Sequence, residues 1–176
     1  MPEALAAVIF DRDGVLNVDH GYVGQVERLE WIPGARRAVG RLSAAGVKVI
    51  VATNQSGVAR GYYDMEAVEA LHDAMRAALA ADGGRLDAIY VCPFHEDAVT
   101  AEYRIADHPD RKPNPGMVLK ALADFGLDAA QVVLVGDRGS DLEAARRGGV
   151  RGLKFDGGDL ERFLEAEGVL EPRNNG

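Results

Sequence analysis

The stretch LAAVIFDRDGVLN, residues 5–17, runs an unbroken apolar segment straight into two aspartates spaced two apart. An apolar run this short, closed by polar residues and a glycine, reads as a strand buried on both faces. Burial on both faces implies a parallel sheet covered by helices on either side, so this one stretch points to the fold class. It also raises a chemical question. Carboxylates this close repel each other, and the end of a buried strand is a costly place to ionise them. Asp11 and Asp13 therefore need a reason to be there.

The same alternation continues outward. GARRAVGRLSAAG (34–46) reads as an amphipathic helix behind Pro33, and VKVIVAT (47–53) as a second β-branched strand. Asp64 can N-cap a long helix over 65–81 that the Gly83-Gly84 pair ends. LDAIYVC (86–92) is a third strand, 115–126 a helix closed by Gly126, and QVVLVG (131–136) a fourth strand. A helix over 140–149, a strand over 150–155 and a helix over 159–167 complete the pattern. Right-handed crossovers then favour an α/β fold with a doubly wound, Rossmann-like parallel sheet. With no internal repeat or linker, residues 1–170 are expected to form one domain, and 171–176 a frayed tail.

Composition narrows the class. The chain of 176 residues is 47% hydrophobic and 27% charged, the balance of a soluble globular protein. No apolar run is long enough to cross a membrane, and the N-terminus reaches charge too early for a signal peptide. The single Cys92 rules out an intrachain disulfide and fits a reducing compartment, so a cytoplasmic location is expected. A net charge of −8 with no basic block argues against a nucleic-acid partner. No docking feature stands out, so a monomer is the expectation.

In doubly wound sheets, ligands bind outside the carboxyl ends of the strands. The polar residues of interest lie there: Asp11 and Asp13 after strand one, Thr53 and Asn54 after strand two, and Asp137 after strand four. Lys112 lies beyond the long connection that follows strand three. Carboxylates converging on one sheet edge call for a cation, and Mg²⁺ suits one or two carboxylates plus a phosphate. Asp11 and Asp137 can hold it. Lys112 and the Thr53-Asn54-Gln55-Ser56 turn would complete a cradle of positive charge and donors around a phosphoryl group. An aspartate can itself be the nucleophile, and Asp13 can then serve as acid and base. Side chains at i and i+2 point to the same side of an extended segment, which explains the spacing.

Here the chain resembles a known family. FDRDGVLN, VATNQSG, RKPNPGM and VGDRGSD are similar to motifs I to IV of the haloacid dehalogenase (HAD) superfamily, in the right order and over about residues 5–155. Within it, DGVLN, TNQSGVARGYY and RKPNPGM resemble the D-glycero-D-manno-heptose-1,7-bisphosphate 7-phosphatases, and the phosphatase domain of histidinol-phosphate phosphatase shares much of the pattern. The resemblance implies a phosphatase on small sugar phosphates. Asp11 would be the nucleophile and a metal ligand, and Asp13 the acid/base that lends its backbone carbonyl to Mg²⁺. Thr53 and Lys112 would stabilise the phosphoryl group, Asp137 would be a metal ligand, and Asp141 would either support the site from behind or, at a helix start, serve only as a partner of the helix N-terminus. Substrate contacts would come from Asp19, His20, Gly21, Tyr22, Asn54, Gln55, Ser56 and Arg111, the last suited to a second phosphate. The segment between the first two motifs has room for a flap but no large cap domain.

One departure stands out. Relatives of this branch carry zinc through Cys-x-His and a later Cys-x-Cys; here Cys92 is present, Phe94 replaces the histidine, and ADHPDRKP has no cysteine. Structural Zn²⁺ is therefore not expected, leaving Cys92, His95 and His108 as a mismatched set. His72 reads as a surface histidine, Trp31 as a core or rim aromatic, and Arg36-Arg37 and Arg146-Arg147 as solvated helix faces. Tyr62-Tyr63 read as packing against the neighbouring helix at least as readily as touching substrate. A signalling receiver domain uses a similar kit, but its phosphoaccepting aspartate follows the third strand, where this chain has VCPFH.

Overall fold

The computed structural model describes residues 4–174. Five parallel strands, β1 (Ala7–Phe10), β2 (Lys48–Asn54), β3 (Ala88–Cys92), β4 (Val132–Gly136) and β5 (Arg151–Lys154), form one sheet in the order β3-β2-β1-β4-β5. The helices are α1 (Ala35–Ala44), α2 (Ser56–Ala59), α3 (Met65–Ala81), α4 (Gly116–Phe125), α5 (Gly139–Gly148) and α6 (Leu160–Ala166). This is the doubly wound fold the apolar strands imply. The short α2, whose four residues are too few to show a periodicity, is the element the pattern does not reveal. Of the expected tail, residues 175 and 176 lie outside the described residues.

Alternate residues of each strand feed two different cores. Val8, Phe10, Val49, Val51, Val133 and Val135 pack with Leu42 of α1, Leu71, Met75 and Leu79 of α3, and Leu160 and Leu164 of α6. Ala7, Ile9, Ile50, Ala52 and Leu134 turn the other way, against Met117, Val118 and Ala121 of α4 and Ala145 of α5. Each fully buried aliphatic side chain stabilises the fold by roughly 1.5–3 kcal/mol relative to exposure. Helix α3 begins where Asp64 accepts the Ala67 N–H at 2.8 Å, the local bond that starts the helix. Trp31 is half-buried against the first core.

Register decides where the polar residues emerge. Phe10 pairs across from Val51 on one side and Val135 on the other, so Asp11, the Thr53-Asn54 end of β2 and Asp137 emerge at the same edge of the sheet. Sequential strands run outward from β1 in one direction and β4 lies on its other flank, which makes the β1/β4 edge the crevice of the sheet.

Candidate active site

The centre of the crevice is the buried Lys112 ammonium. It donates to Asp11 Oδ1 at 2.9 Å, to the Ala52 carbonyl at 2.8 Å, and pairs with Asp141 Oδ1 at 2.7 Å, so its three N–H donors are all engaged. Burial works against the ammonium, but Asp11 and Asp141 outweigh it and hold its pKa above the ordinary value. Asp11 shows the opposite strain. Burial pushes its carboxyl up to about 7, Lys112 pulls down, and Asp141 and Asp137 push further up. Further positive charge beside it would favour its ionised form.

Asp137 supplies the complementary observation. Its Oδ1 is buried without a hydrogen-bond partner, and oxygens of Asp11, Asp137 and Asp141 lie within 4.8 Å of one another. Asp137 is also pushed up, first by burial. A hard divalent cation fits this donor set, since it would satisfy the orphaned oxygen and relieve the repulsion. Asp141 is committed elsewhere: beside Lys112, its Oδ2 accepts the N–H groups of Asp137 (3.2 Å) and Arg138 (3.1 Å). It therefore both supports the lysine and caps α5. Gly14 makes the approach possible, for with φ +87° a Cβ there would stand 2.1 Å from Asp137 Oδ2.

Asp13 is held on both oxygens. Oδ1 accepts from Arg12 Nη2 at 2.8 Å and Asn17 Nδ2 at 2.9 Å, and Oδ2 from Gln55 Nε2 at 2.9 Å. Thr53 lies fully buried, its Oγ1 accepting from Gln55 Nε2 at 2.8 Å. Asn54 ties β2 to the Lys112 loop, its Oδ1 accepting from Lys112 N and its Nδ2 donating to Lys112 O, both at 3.1 Å. Around them opens a cavity of 260 Å³ lined by Asp11, Asp13, Asp19, Gly21, Tyr22, Asn54, Gln55, Ser56, Arg111, Lys112 and Asp141.

His20 departs from its expected place. Its imidazole turns outward to Glu30 Oε2 at 2.6 Å and does not line the cavity. The reason is local: Arg28 donates to the carbonyls of His20, Gly21 and Tyr22, which fixes the turn with Gly21 and Tyr22 inward. His72, expected at the surface, is also elsewhere. It is buried, 5% exposed, and its Nε2 meets Arg12 Nη1 at 3.2 Å. Arg12 itself, read only as the residue between two aspartates, is fully buried; its guanidinium bonds Asp13, His72 and the Val23 carbonyl. The strand alternation that turns Asp11 and Asp13 to the crevice turns Arg12 toward α3, a signal present in the sequence. Tyr63, Arg138 and Ser140 also line the cavity, and Arg138 reaches Asp19 Oδ2 at 3.2 Å.

The connection before Lys112 is packed by rings. Phe94 stacks on His108, centroids 4.2 Å apart and 10° from parallel, while Tyr103 tilts against Phe94 at 6.1 Å. His108 Nδ1 accepts the Asp110 N–H and His95 Nδ1 the Asp97 N–H, each at 3.0 Å, and Cys92 is buried below. Arg36 and Arg37 pair with Asp82 and Glu161, and Arg146 and Arg147 with Glu143, away from the crevice.

The HAD-hydrolase-like family model matches residues 110–166. The chain is 42% identical over 160 residues to the D-glycero-beta-D-manno-heptose-1,7-bisphosphate 7-phosphatase of Rhodopseudomonas palustris, covering 90% of this chain and 88% of that one. It is 44% identical over 163 residues to the D-glycero-D-manno-heptose-1,7-bisphosphate 7-phosphatase of Thermosynechococcus vestitus, covering 90% and 83%. Among solved structures it is similar to the D,D-heptose 1,7-bisphosphate phosphatase of B. bronchiseptica complexed with magnesium and phosphate, with a TM-score of 0.77, 38% identity and coverage of 94% and 88%. Identity at this level over nearly the whole of both chains shows that the protein belongs to the heptose-1,7-bisphosphate 7-phosphatase family of HAD-like phosphatases.

Proposed function

We propose that this chain is an Mg²⁺-dependent phosphomonoesterase that removes the 7-phosphate of D-glycero-D-manno-heptose 1,7-bisphosphate through an aspartyl-phosphate on Asp11. The observation that carries the chemistry is the convergence of Asp11, Asp137 and Lys112 on one strand-end crevice, with a buried Asp137 oxygen left for a cation. The substrate rests on the named relatives and on the cationic Arg111 and Arg138 beside the cavity, which suit a sugar with two phosphates.

In this reading Asp11 attacks phosphorus while the bond to the sugar oxygen breaks. Asp13 gives its proton to that departing oxygen, then takes one from the water that releases phosphate from Asp11. The charge of the Lys112 ammonium, whose donors lie on Asp11, Ala52 and Asp141, favours the phosphoryl oxygens, and the fully buried Thr53 would have to turn its hydroxyl from Gln55 to join it. Asp11, Asp137 and the Asp13 carbonyl would hold Mg²⁺, which when bound neutralises charge on the transferring group. Asp19, Gly21, Tyr22, Asn54, Gln55, Ser56 and Arg111 shape the sugar's seat. The enzyme is taken as a cytoplasmic monomer of carbohydrate metabolism without a nucleic-acid or membrane partner. The net charge of −8 argues against a nucleic-acid partner, and no helix among the described residues is long and apolar enough to cross a membrane.

Phosphate release with Mg²⁺ tests the reading on both anomers of the heptose bisphosphate, histidinol phosphate, fructose 1,6-bisphosphate and a 3′-phosphorylated oligonucleotide. The expected result is a kcat/KM for one heptose anomer at least ~100-fold above the rest, about 2.7 kcal/mol of discrimination. Uniformly low values would leave the chemistry and remove the heptose assignment.

A further inference from the structure

The phenol of Tyr63 enters the site from the side. Its hydroxyl donates to Gln55 Oε1 at 2.6 Å, and the Nε2 of that amide is shared between Asp13 Oδ2 at 2.9 Å and Thr53 Oγ1 at 2.8 Å. The ring cannot move far. A Cβ at Gly24 would lie 2.1 Å from its Cδ1 and one at Gly57 2.4 Å from its Cζ, so the ring is clasped between the flap and α2 at two positions where only glycine leaves space. Asp13 Oδ1 is already fastened by Arg12 and Asn17, so the setting of Oδ2 depends on which way the Gln55 amide faces.

We propose that Tyr63 is a positioning residue for Asp13, acting through the Gln55 amide. With the Tyr63 O–H on Oε1, the amide presents its N–H side to Asp13 and Thr53. Turned over, it would set oxygen against the Asp13 carboxylate and leave Tyr63 facing an N–H. Burial, the largest influence on Tyr63, pushes its pKa up to about 12, so the donor persists at neutral pH. The amide therefore fixes the orientation of Asp13 Oδ2. Tyr63 touches the acid/base only at second hand, and its loss should be felt where proton donation is needed. The inference rests on the phosphatase reading above.

Leaving-group dependence separates this from a packing role. Wild type, Tyr63→Phe and Asp11→Asn are compared with Mg²⁺ in rapid-mixing assays on the best sugar phosphate of the panel and on 4-nitrophenyl phosphate. The first releases an alkoxide that needs a proton; the second releases a stable phenolate that does not. Tyr63→Phe keeps the ring between Gly24 and Gly57, so its first-turnover rate is expected to fall about five- to tenfold on the sugar phosphate and by less than about twofold on the aryl ester, with KM little changed. Equal losses on both esters, or wild-type rates on both, would overturn the inference and leave the phosphatase reading intact. Turnover by Asp11→Asn at the wild-type rate would instead remove that reading and the inference with it.

Discussion

Lys112 Nζ reaches across 101 residues of chain to lie 2.9 Å from Asp11 Oδ1, while Asp141 Oδ1 waits 2.7 Å away on its other side. One buried cation thus holds Asp11 and Asp141 in a single geometry. Breaking such a pair from one side leaves uncompensated charge in the interior, which costs far more than the pair's net worth.

Replacing Lys112 by methionine is therefore expected to act twice. Turnover should drop by about 10²–10³, the usual cost of removing a positioned electrostatic partner. Stability should fall by about 3–5 kcal/mol at neutral pH, because Asp11 and Asp141 are left facing each other without a cation. Steady-state kinetics and denaturant unfolding measure the two separately.

Asp11 carries a pH signature of the metal-free protein. Its ordinary value of 3.8 is raised to about 7 in the fold, so the native state binds more protons than the unfolded one between these values. Its contribution to stability is complete below pH 3.8 and is lost as pH rises through about 7. Thermal scans in a chelator should show stability declining over this window, and Asp11→Asn should flatten the decline while abolishing turnover. Mg²⁺ should restore wild-type stability increasingly as pH rises, since it replaces the proton.

Gly14→Ala tests the approach of β1 and β4. The added Cβ would meet Asp137 Oδ2 at 2.1 Å in a backbone at φ +87°, so either the aspartate or the loop must shift. Mg²⁺ affinity, read by calorimetry, is expected to fall at least about tenfold, with a stability loss of about 1–3 kcal/mol for the strained backbone.

His72 gives the opposite pH dependence. Burial, then the charges of Arg12 and Arg76, bring its pKa from 6.5 down to about 3, so the unfolded state binds the extra proton in that window. Its contribution is complete above pH 6.5 and is lost as pH falls toward about 3. His72→Gln should flatten the acid limb of the stability curve, whose slope from one such group is at most about 1.4 kcal/mol per pH unit. An unchanged acid limb would mean that His72 does not stay neutral beside Arg12.

Much of the architecture was legible because it is written in short-range pattern. The run 5–10 announced β1, and Asp64 with its following apolar positions announced α3, whose observed bounds are Met65–Ala81. The strand-end placement of Asp11, Asp13, Thr53, Asn54 and Asp137 followed from the doubly wound topology alone. What stayed hidden depends on contacts far apart in the chain. Arg12 and His72 are 60 residues apart, so neither reveals that a buried guanidinium and a neutral imidazole share one pocket. His20 looked equivalent to its neighbours until Arg28 fixed which side of the turn faces the cavity.

The sequence by itself determined the fold class, the strand ends and the chemical types gathered there, because periodicity and motif spacing are local properties of the chain. The tertiary structure alone decided which carboxylate faces Lys112, which oxygen of Asp137 is left for a cation, and that Tyr63 reaches Asp13 through Gln55. Those relations depend on distances between strands and loops that only sheet register and side-chain packing set.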